Sequence, residues 1–598
     1  MKKTARILFC LAITVFALPV FAQKEDDAAK ERETRNIALL TQVANDAKGL
    51  KLPENRAFVA ARAGAALWRA DEKEARKLFD YAVAELIAAG AEGEAQTRNR
   101  QYFNNLIYGQ EPRWSILNMI ANCDASLALE AMARTRTPSL DRALARVSGG
   151  GEGGDRRLKS ELSAYGSGQY AMTELQNEQR LIGMAADQDP ARAIALVRES
   201  IKKGVGYQTL YLLQKILSKD AAAASDLTRD AIGKLLDVEF SAENTQFVET
   251  LATFLSEVSR QPQPKEVVLR APEDLIRRMA EKMLDFWLDE SVTGFYGNNG
   301  SFSVIEKYSP ERAARVKQKF DRINKQNQGQ YGEEYSRLLS GDVPVGEMTA
   351  RAAKLPRYMR NEVFRQAAQR MASTGNLAQA EKLIEDNMTG EEAENYIGQI
   401  VSNHVYSAIG EGKFAEAGDA IMRIPNPDNR VNMLVQLAGS IYHKDTKAND
   451  KWALSVLGQA RALLPDEPET YEDISAFFNI AAAQAQIEPE PAFRMAEAII
   501  PTLNDLSQAN ATIAKLRNYG NFRQGEFQIT NGQYSLGVSG FEGLLNVLKE
   551  KDFDRAVQVT NGFTRLDTRL AYQLQLVEGG TIMSLPINGR GFRSCFGE

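Results

Sequence analysis

One short pattern occurs twice in the middle of the chain, with a spacing of 37 residues. Residues 375–380 read Gly-Asn-Leu-Ala-Gln-Ala, and residues 412–417 read Gly-Lys-Phe-Ala-Glu-Ala. Apolar residues on both sides of each copy recur at helical spacing. A glycine between two such segments favours a turn, because glycine adopts backbone conformations that other residues avoid. The pattern therefore predicts helical hairpins that are stacked as repeats.

The first hairpin shows the packing that this pattern implies. Its first helix is predicted over about 358–374 and has one apolar face, formed by Val363, Phe364, Ala367, Ala368 and Met371. In its second helix, Ala380 lets the two helices approach closely, and Ile384 fills the space beside it. A small residue followed four positions later by a larger one recurs at Ala417, Ala453, Ala75, Ala193 and Ala556.

Glycine, then an aromatic residue two positions later and alanine three positions after that, resembles the tetratricopeptide repeat (TPR). The resemblance covers about 355–505, although the Trp-x-x-Leu-Gly opening of a standard TPR is absent. It implies an all-α fold, an α-α superhelix or solenoid of TPR-like helical hairpins. Such a surface would bind a protein or a peptide. An ordinary helical domain with chance self-similarity is the alternative interpretation.

The first 22 residues have the pattern of a signal peptide. Lys2, Lys3 and Arg6 precede an apolar run of 12 residues, and small residues lead up to Ala22. The run is too short to cross a bilayer. We therefore expect cleavage after Ala22 and a periplasmic or secreted protein without a membrane span in the mature chain. An uncleaved membrane anchor is the alternative.

Changes in composition divide the rest of the chain into segments. They are, in chain order, 23–147 (N-terminal helical hairpins), 156–260 (helical), 265–340 (helical, with a loop at 294–302), 355–505 (TPR-like repeats) and 506–598 (a β-hairpin, a terminal pair of helices and an irregular tail). The loop at 294–302 is rich in glycine, asparagine and aromatic residues. Its rings either bind a ligand or pack back onto the helices.

The apolar period changes from helical to alternating near the C-terminus. Phe527 and Ile529 alternate with polar residues, Asn531-Gly532 follows, and alternation continues to Val538. Asn-Gly between alternating runs favours a two-residue hairpin turn. This pattern predicts a small β-hairpin near 526–538, inserted into the helical array.

The cysteines carry little information about function. Only Cys123 and Cys595 would remain in the mature chain, 472 residues apart. The ends of an extended solenoid lie far from each other, so we expect two free thiols rather than a disulfide. Cys123 is expected in the core, because free cysteine is among the most buried residue types.

The sequence contains no motif that fixes an activity. Its two histidines, His404 and His443, stand at non-equivalent positions, without the neighbours that a zinc site or a Ser-His-Asp site requires. The glycine run at 149–151 follows no predicted strand, so it lacks the context of a phosphate-binding loop. We therefore assign no catalytic, cofactor-binding or metal residues and no cofactor.

Two functional hypotheses are compatible with these features of the sequence. The first is an exported, non-enzymatic protein that presents its helical-repeat surface to a protein, a peptide or an envelope polymer. The alternative is a carboxylate-based glycan-active enzyme, resembling a lytic transglycosylase or an α/α-toroid, with Glu526 as the acid to test. Removal of the signal takes the net charge from −5 to −8. That acidity argues against nucleic acid, because phosphate binding needs a basic face.

Overall fold

The computed structural model describes residues 31–95, 112–148, 167–240, 245–264, 266–294, 299–328, 331–444, 449–517, 521–529 and 539–577. These residues are almost entirely α-helical, and the helices are arranged as repeats. The predicted all-α fold is therefore confirmed. Within the described ranges, no helix is both long and apolar enough to cross a membrane.

The first half of the chain is described as a series of helices. They are 31–46 (α1), Pro53–Leu67 (α2), Glu72–Ala95 (α3), Arg113–Cys123 (α4), Ala125–Arg134 (α5), Pro138–Ser148 (α6), Ser167–Gln188 (α7), Pro190–Lys203 (α8), Tyr207–Leu217 (α9), Ala221–Leu236 (α10), Thr245–Val258 (α11), Glu273–Leu288 (α12), Asn299–Tyr308 (α13) and Pro310–Gln328 (α14). A 3₁₀ turn, Ala47–Gly49, joins α1 to the segment before α2.

The second half contains the remaining helices and one small sheet. They are Gly332–Leu339 (α15), Val345–Ala352 (α16), Arg357–Ser373 (α17), Leu377–Asn387 (α18), Glu391–Gly410 (α19), Phe414–Ile421 (α20), Pro427–Lys444 (α21), Asp450–Ala462 (α22), Tyr471–Ile487 (α23), Pro489–Arg517 (α24), Phe522–Arg523 (β1), Glu526–Phe527 (β2), Phe541–Lys551 (α25), Phe553–Asn561 (α26) and Leu566–Val577 (α27). Three helices thus follow β2, where the sequence predicted a pair.

The small alanine of the repeat pattern is fully buried in every copy. The copies predicted from the sequence are Ala75, Ala193, Ala380, Ala417, Ala453 and Ala556, and further ones stand at Ala128 and Ala224. Five of these alanines lie four residues after an aspartate whose side chain accepts a hydrogen bond from the backbone N–H three positions on; these aspartates are Asp71, Asp124, Asp189, Asp220 and Asp552. Aspartate is a favoured helix cap, so these turns need no glycine.

The two glycine turns of the repeat share the same pair of backbone hydrogen bonds. Gly375 has φ +85° and Gly412 has φ +76°, in the left-handed region. In the first turn the Gly375 N–H donates to Ala372, and the Asn376 N–H to Met371. Gly412 and Lys413 make the same pair of bonds in the second turn. This arrangement satisfies the last carbonyls of the preceding helix.

The buried apolar residues form three main cores. The central core extends from Ile182 to Phe320, and the repeat core extends from Leu338 to Ile480. The third, which we call the terminal core, combines buried residues of Leu39–Met132 and Leu181 with those of Ile474–Leu576. Helix α23 contributes side chains to both the repeat core and the terminal core. The first and last described helices therefore belong to one packed body.

The expectation that the two ends of the array lie far apart is wrong. The Asn36 amide donates to the backbone carbonyl of Val577. Asn55 in α2 bonds the backbone of the hairpin segment on both sides, donating to the Phe527 carbonyl at 2.9 Å and accepting from the Ile529 N–H at 2.9 Å. Apolar burial in the terminal core stabilises this contact between the ends.

A small β-hairpin is present at residues 522–527, at the start of the predicted range of 526–538. Phe522 pairs with Phe527, and Arg523 pairs with Glu526. Gln524 and Gly525 form the turn with φ values of 50° and 86°, as a two-residue hairpin turn of type I′ requires. The predicted turn at Asn531-Gly532 lies outside the described residues.

Two further predictions concern single side chains. Cys123 is buried, as expected, whereas Cys595 lies outside the described residues. From the loop at 294–302, Phe302 packs on Trp287 with ring centroids 5.8 Å apart. This ring thus lies against the helices, and residues 295–298 are outside the described ranges.

Candidate functional site

The first helix of each hairpin in the repeat core forms the inner face of the stack. Helix α17 contacts α19, α19 contacts α21, and α21 contacts α23 directly. The second helices α18, α20 and α22 each pack between two of these first helices. Because the first helices approach one another, they line the side on which a curved stack is concave.

A cleft of about 750 Å³ lies on this inner face between α19 and α21. We call it the amide cleft, because side-chain amides make up most of its lining. These are Asn395, Gln399, Asn403, Asn426, Asn429, Asn432 and Gln436. Tyr406 contributes an exposed ring, and Gly398 opens the floor because a Cβ atom there would meet nothing within 4 Å.

Most of these amide side chains make no hydrogen bond to another described residue. The Asn426 side chain accepts from the Asn429 N–H at 3.0 Å and so caps α21. Asn432 accepts from Asn479 at 3.3 Å, which continues the polar row onto α23. The exposed amides of Asn395, Gln399, Asn403 and Gln436 make no hydrogen bond within the described ranges, so their donors and acceptors face the cleft.

The charge of the amide cleft limits its ligands. Its lining includes the carboxylates of Glu391 and Glu394, and among the described residues that line it there is no lysine or arginine. A polyanion such as a nucleic acid needs cations at its binding surface. The cleft is therefore suited to a neutral or basic ligand.

A second, smaller cavity of about 310 Å³ lies on the opposite side of α19, toward α17. Its lining includes Glu411, Glu416, Lys413 and His404, and we call it the carboxylate pocket. His404 Nε2 lies 3.3 Å from Glu416 Oε1, and Lys413 Nζ lies 2.7 Å from Glu411 Oε2. Asn403 lines both this pocket and the amide cleft.

Glu526, the acid singled out for the glycan-active alternative, is placed at a helix end. Its two carboxylate oxygens accept from the backbone N–H groups of Lys51, at 2.8 Å, and Leu52, at 3.1 Å. These groups lie at the start of α2, where backbone donors have no partner within the helix. Glu526 is only 8% exposed, so both of its oxygens serve the fold.

A buried ionic cluster is likewise structural. Arg113 donates to both oxygens of Glu174, at 2.7 and 3.0 Å, and Arg136 donates to Glu174 and Glu178. Lys203 completes the cluster with a bond of 2.6 Å to Glu178. Burial raises the pKa of Glu174, but the charges and hydrogen bonds of the two arginines outweigh it, so the pKa lies below its usual value.

The histidines and other possible ligands do not assemble into a metal site in the described part of the chain. No group of three or more His, Cys, Asp or Glu side chains there could hold an ion. His443 packs beside Tyr442, while His404 lies in the carboxylate pocket. The amide cleft was not predicted from the sequence. Its one local signal is the row of amides at every fourth residue of α19, where surface helices usually carry charges.

Comparisons with known proteins assign no family. Neither the protein-family models nor the curated proteins include a match to this chain. Among solved structures, a circular tandem repeat protein with novel repeat topology and enhanced subunit contact surfaces aligns over 91% of this chain and 96% of its own. It is 11% identical in sequence, with a TM-score of 0.18.

Proposed function

We propose that this chain is an exported, non-enzymatic binding protein that holds an extended polypeptide segment in the amide cleft. Residues 1–22 would direct export to the periplasm or beyond. The hairpins of 355–505 would be TPR-like, which is supported by their 37-residue spacing and by the pair of hydrogen bonds that the turns at Gly375 and Gly412 share. One observation carries the proposal: neutral, unoccupied amides line both sides of one cleft.

The spacing of these amides suits an extended chain. Asn395, Gln399 and Asn403 follow one another at four-residue intervals on α19, which corresponds to about 6 Å along a helix axis. Peptide groups that point to the same side of an extended chain recur at about 6.7 Å. One row of amides can therefore contact every second residue of the ligand.

Both flanks of the cleft contribute to this match. Asn432 and Gln436 on α21 stand opposite the row on α19. In an extended chain the N–H and C=O groups point alternately to the two sides. Each Asn or Gln amide offers both donors and an acceptor, so it can bind a peptide group in either orientation. Recognition of this kind tolerates many side-chain sequences.

The glycan-active alternative receives less support from the contacts of Glu526. A general acid or nucleophile must face its substrate. The Glu526 oxygens instead face the start of α2. We therefore favour binding over catalysis.

A retention experiment tests this function. The immobilised protein would be incubated with a random pool of unstructured 12-residue peptides, and retained peptides would be measured individually by fluorescence anisotropy. The double variant Gln399→Ala/Asn432→Ala should bind about tenfold or more weakly, because each lost hydrogen bond contributes about 1 kcal/mol. The variant Gln508→Ala, an exposed amide on α24, is the matched control and should bind like the wild type.

Two outcomes would contradict the proposal. Retention of no peptide would remove the proposed ligand class. Equal binding by the wild type and the double variant would place peptide recognition outside the amide cleft. Circular dichroism should show unchanged helicity in both variants, since alanine favours helices.

A further inference from the structure

The carboxylate pocket lies within reach of a ligand in the amide cleft. The two cavities flank the same helix, α19, and Asn403 borders both. A side chain of a bound polypeptide that passes Asn403 is therefore next to the pocket. At about 310 Å³ the pocket can hold one large side chain.

The floor of the pocket is apolar and its rim is acidic. Ala372, Ile400 and Ala408 line the floor. Glu411 and Glu416 stand at the rim, with roughly half of each side chain exposed to solvent. Lysine and arginine combine an aliphatic stem with a charged head group. Such a side chain would pack its stem on the floor and direct its charge to the rim.

The charges already present in the pocket favour the binding of one more cation. Lys413 is the only lysine or arginine among the described residues that line the pocket, against two carboxylates. It is paired with Glu411, and this hydrogen bond and charge lower the pKa of Glu411. Glu416 contacts His404, which carries a charge only when protonated. An incoming cation would thus find Glu416 available.

We propose that the carboxylate pocket is a specificity site that accepts a lysine or arginine side chain from the polypeptide bound in the amide cleft. This inference rests on the proposed function, and it adds a requirement of its own. The amides contact the backbone of the ligand, whereas the pocket selects one basic residue. The preferred partner is therefore an extended segment with a basic side chain near its middle.

Matched peptide pools test this requirement. One pool of 12-residue peptides carries lysine at a fixed central position, and a second carries norleucine, which keeps the aliphatic stem without the charge. The wild type should retain the lysine pool about tenfold more strongly. The double variant Glu411→Gln/Glu416→Gln should lose this preference but still bind both pools. Glu385→Gln, at an exposed carboxylate on α18, should keep the preference.

The outcomes separate the two proposals. Equal retention of the lysine and norleucine pools by the wild type would overturn the pocket assignment and leave the amide cleft intact. A lysine preference that survives in the double variant would also overturn it, by placing the selection elsewhere. If no pool is retained, the pocket assignment and the proposed function both fail.

Discussion

The backbone N–H of Leu52 donates a hydrogen bond of 3.1 Å to the carboxylate of Glu526, 474 residues later in the chain. Leu52 is the residue that immediately precedes α2, so this carboxylate occupies the place of a helix cap. A negative charge at the start of a helix is also favoured by the helix dipole. A residue of the C-terminal hairpin thus completes a helix of the N-terminal region.

Replacement of this cap should reduce stability. The variant Glu526→Gln removes the charge and one acceptor, and it leaves a buried backbone N–H without its partner. We expect the free energy of unfolding to fall by about 1–3 kcal/mol in a urea titration. Glu550→Gln, an exposed carboxylate at the end of α25, should change it by less than about 0.5 kcal/mol. Unchanged stability in Glu526→Gln would show that this cap is dispensable.

Division of the chain between the central core and the repeat core should show that the ends depend on each other. A fragment of residues 23–329 keeps the central core but lacks the Ile474–Leu576 part of the terminal core. We expect protease to cleave its N-terminal helices rapidly while the central core stays resistant. Co-expression with residues 330–598 should restore resistance of the N-terminal helices. N-terminal helices that resist protease in the fragment alone would contradict this dependence.

Protonation of the ionic cluster should lower the free energy of unfolding at acidic pH. The pKa of Glu174 is lower in the folded protein than in the unfolded chain, so the unfolded chain takes up the proton first as the pH drops. Glu174 therefore contributes to the free energy of unfolding above about pH 4.3, the usual glutamate pKa, and this contribution is lost as the pH falls below that value. Urea titrations between pH 3 and pH 7 should show this loss.

The variant Glu174→Gln should show a weaker dependence over this pH range. It should also be less stable at pH 7 by about 3 kcal/mol, because it leaves buried arginines without a full partner. Glu199→Gln, at an exposed pair with Lys202, serves as the control and should change stability by less than about 1 kcal/mol. If stability falls equally at low pH in Glu174→Gln and in the wild type, Glu174 is not the cause of the fall.

The repeat turn should be sensitive at one glycine and tolerant at its neighbour. Gly412 has φ +76°, so Gly412→Ala should cost about 1–2 kcal/mol in thermal or urea unfolding. Gly410→Ala lies at the end of α19, where a Cβ atom meets nothing within 4 Å. It should be neutral or slightly stabilising. Similar losses in both variants would mean that the turn conformation is not the cause.

Local patterns were sufficient to predict the hairpins. Ala380 and Ala417 are buried because the helices approach at these positions, and their spacing was visible in the sequence. The same rule applies where an aspartate replaces the glycine turn. Asp124 lies four residues before buried Ala128, and Asp220 lies four residues before buried Ala224. These copies could have been found from the sequence by a search for a cap followed by a small residue.

Contacts between distant residues leave no comparable trace. Nothing near Leu52 or Glu526 indicates that they meet, because no local period connects residues so far apart. The amide cleft was missed for a related reason. Gln399 and Asn432 are ordinary polar residues on their own helices, and only the contact of α19 with α21 places them on facing walls.

The terminal core also sets the order in which the chain can mature. A ribosome that adds about 5–20 residues per second needs roughly 25 to 95 seconds to proceed from Leu52 to Glu526. During that interval α2 exists without its cap and without the Ile474–Leu576 part of the terminal core. Its exposed face is then available to chaperones or to other nascent chains. The C-terminal helices, which are synthesised last, thus cover the apolar surface through which the N-terminal helices could aggregate.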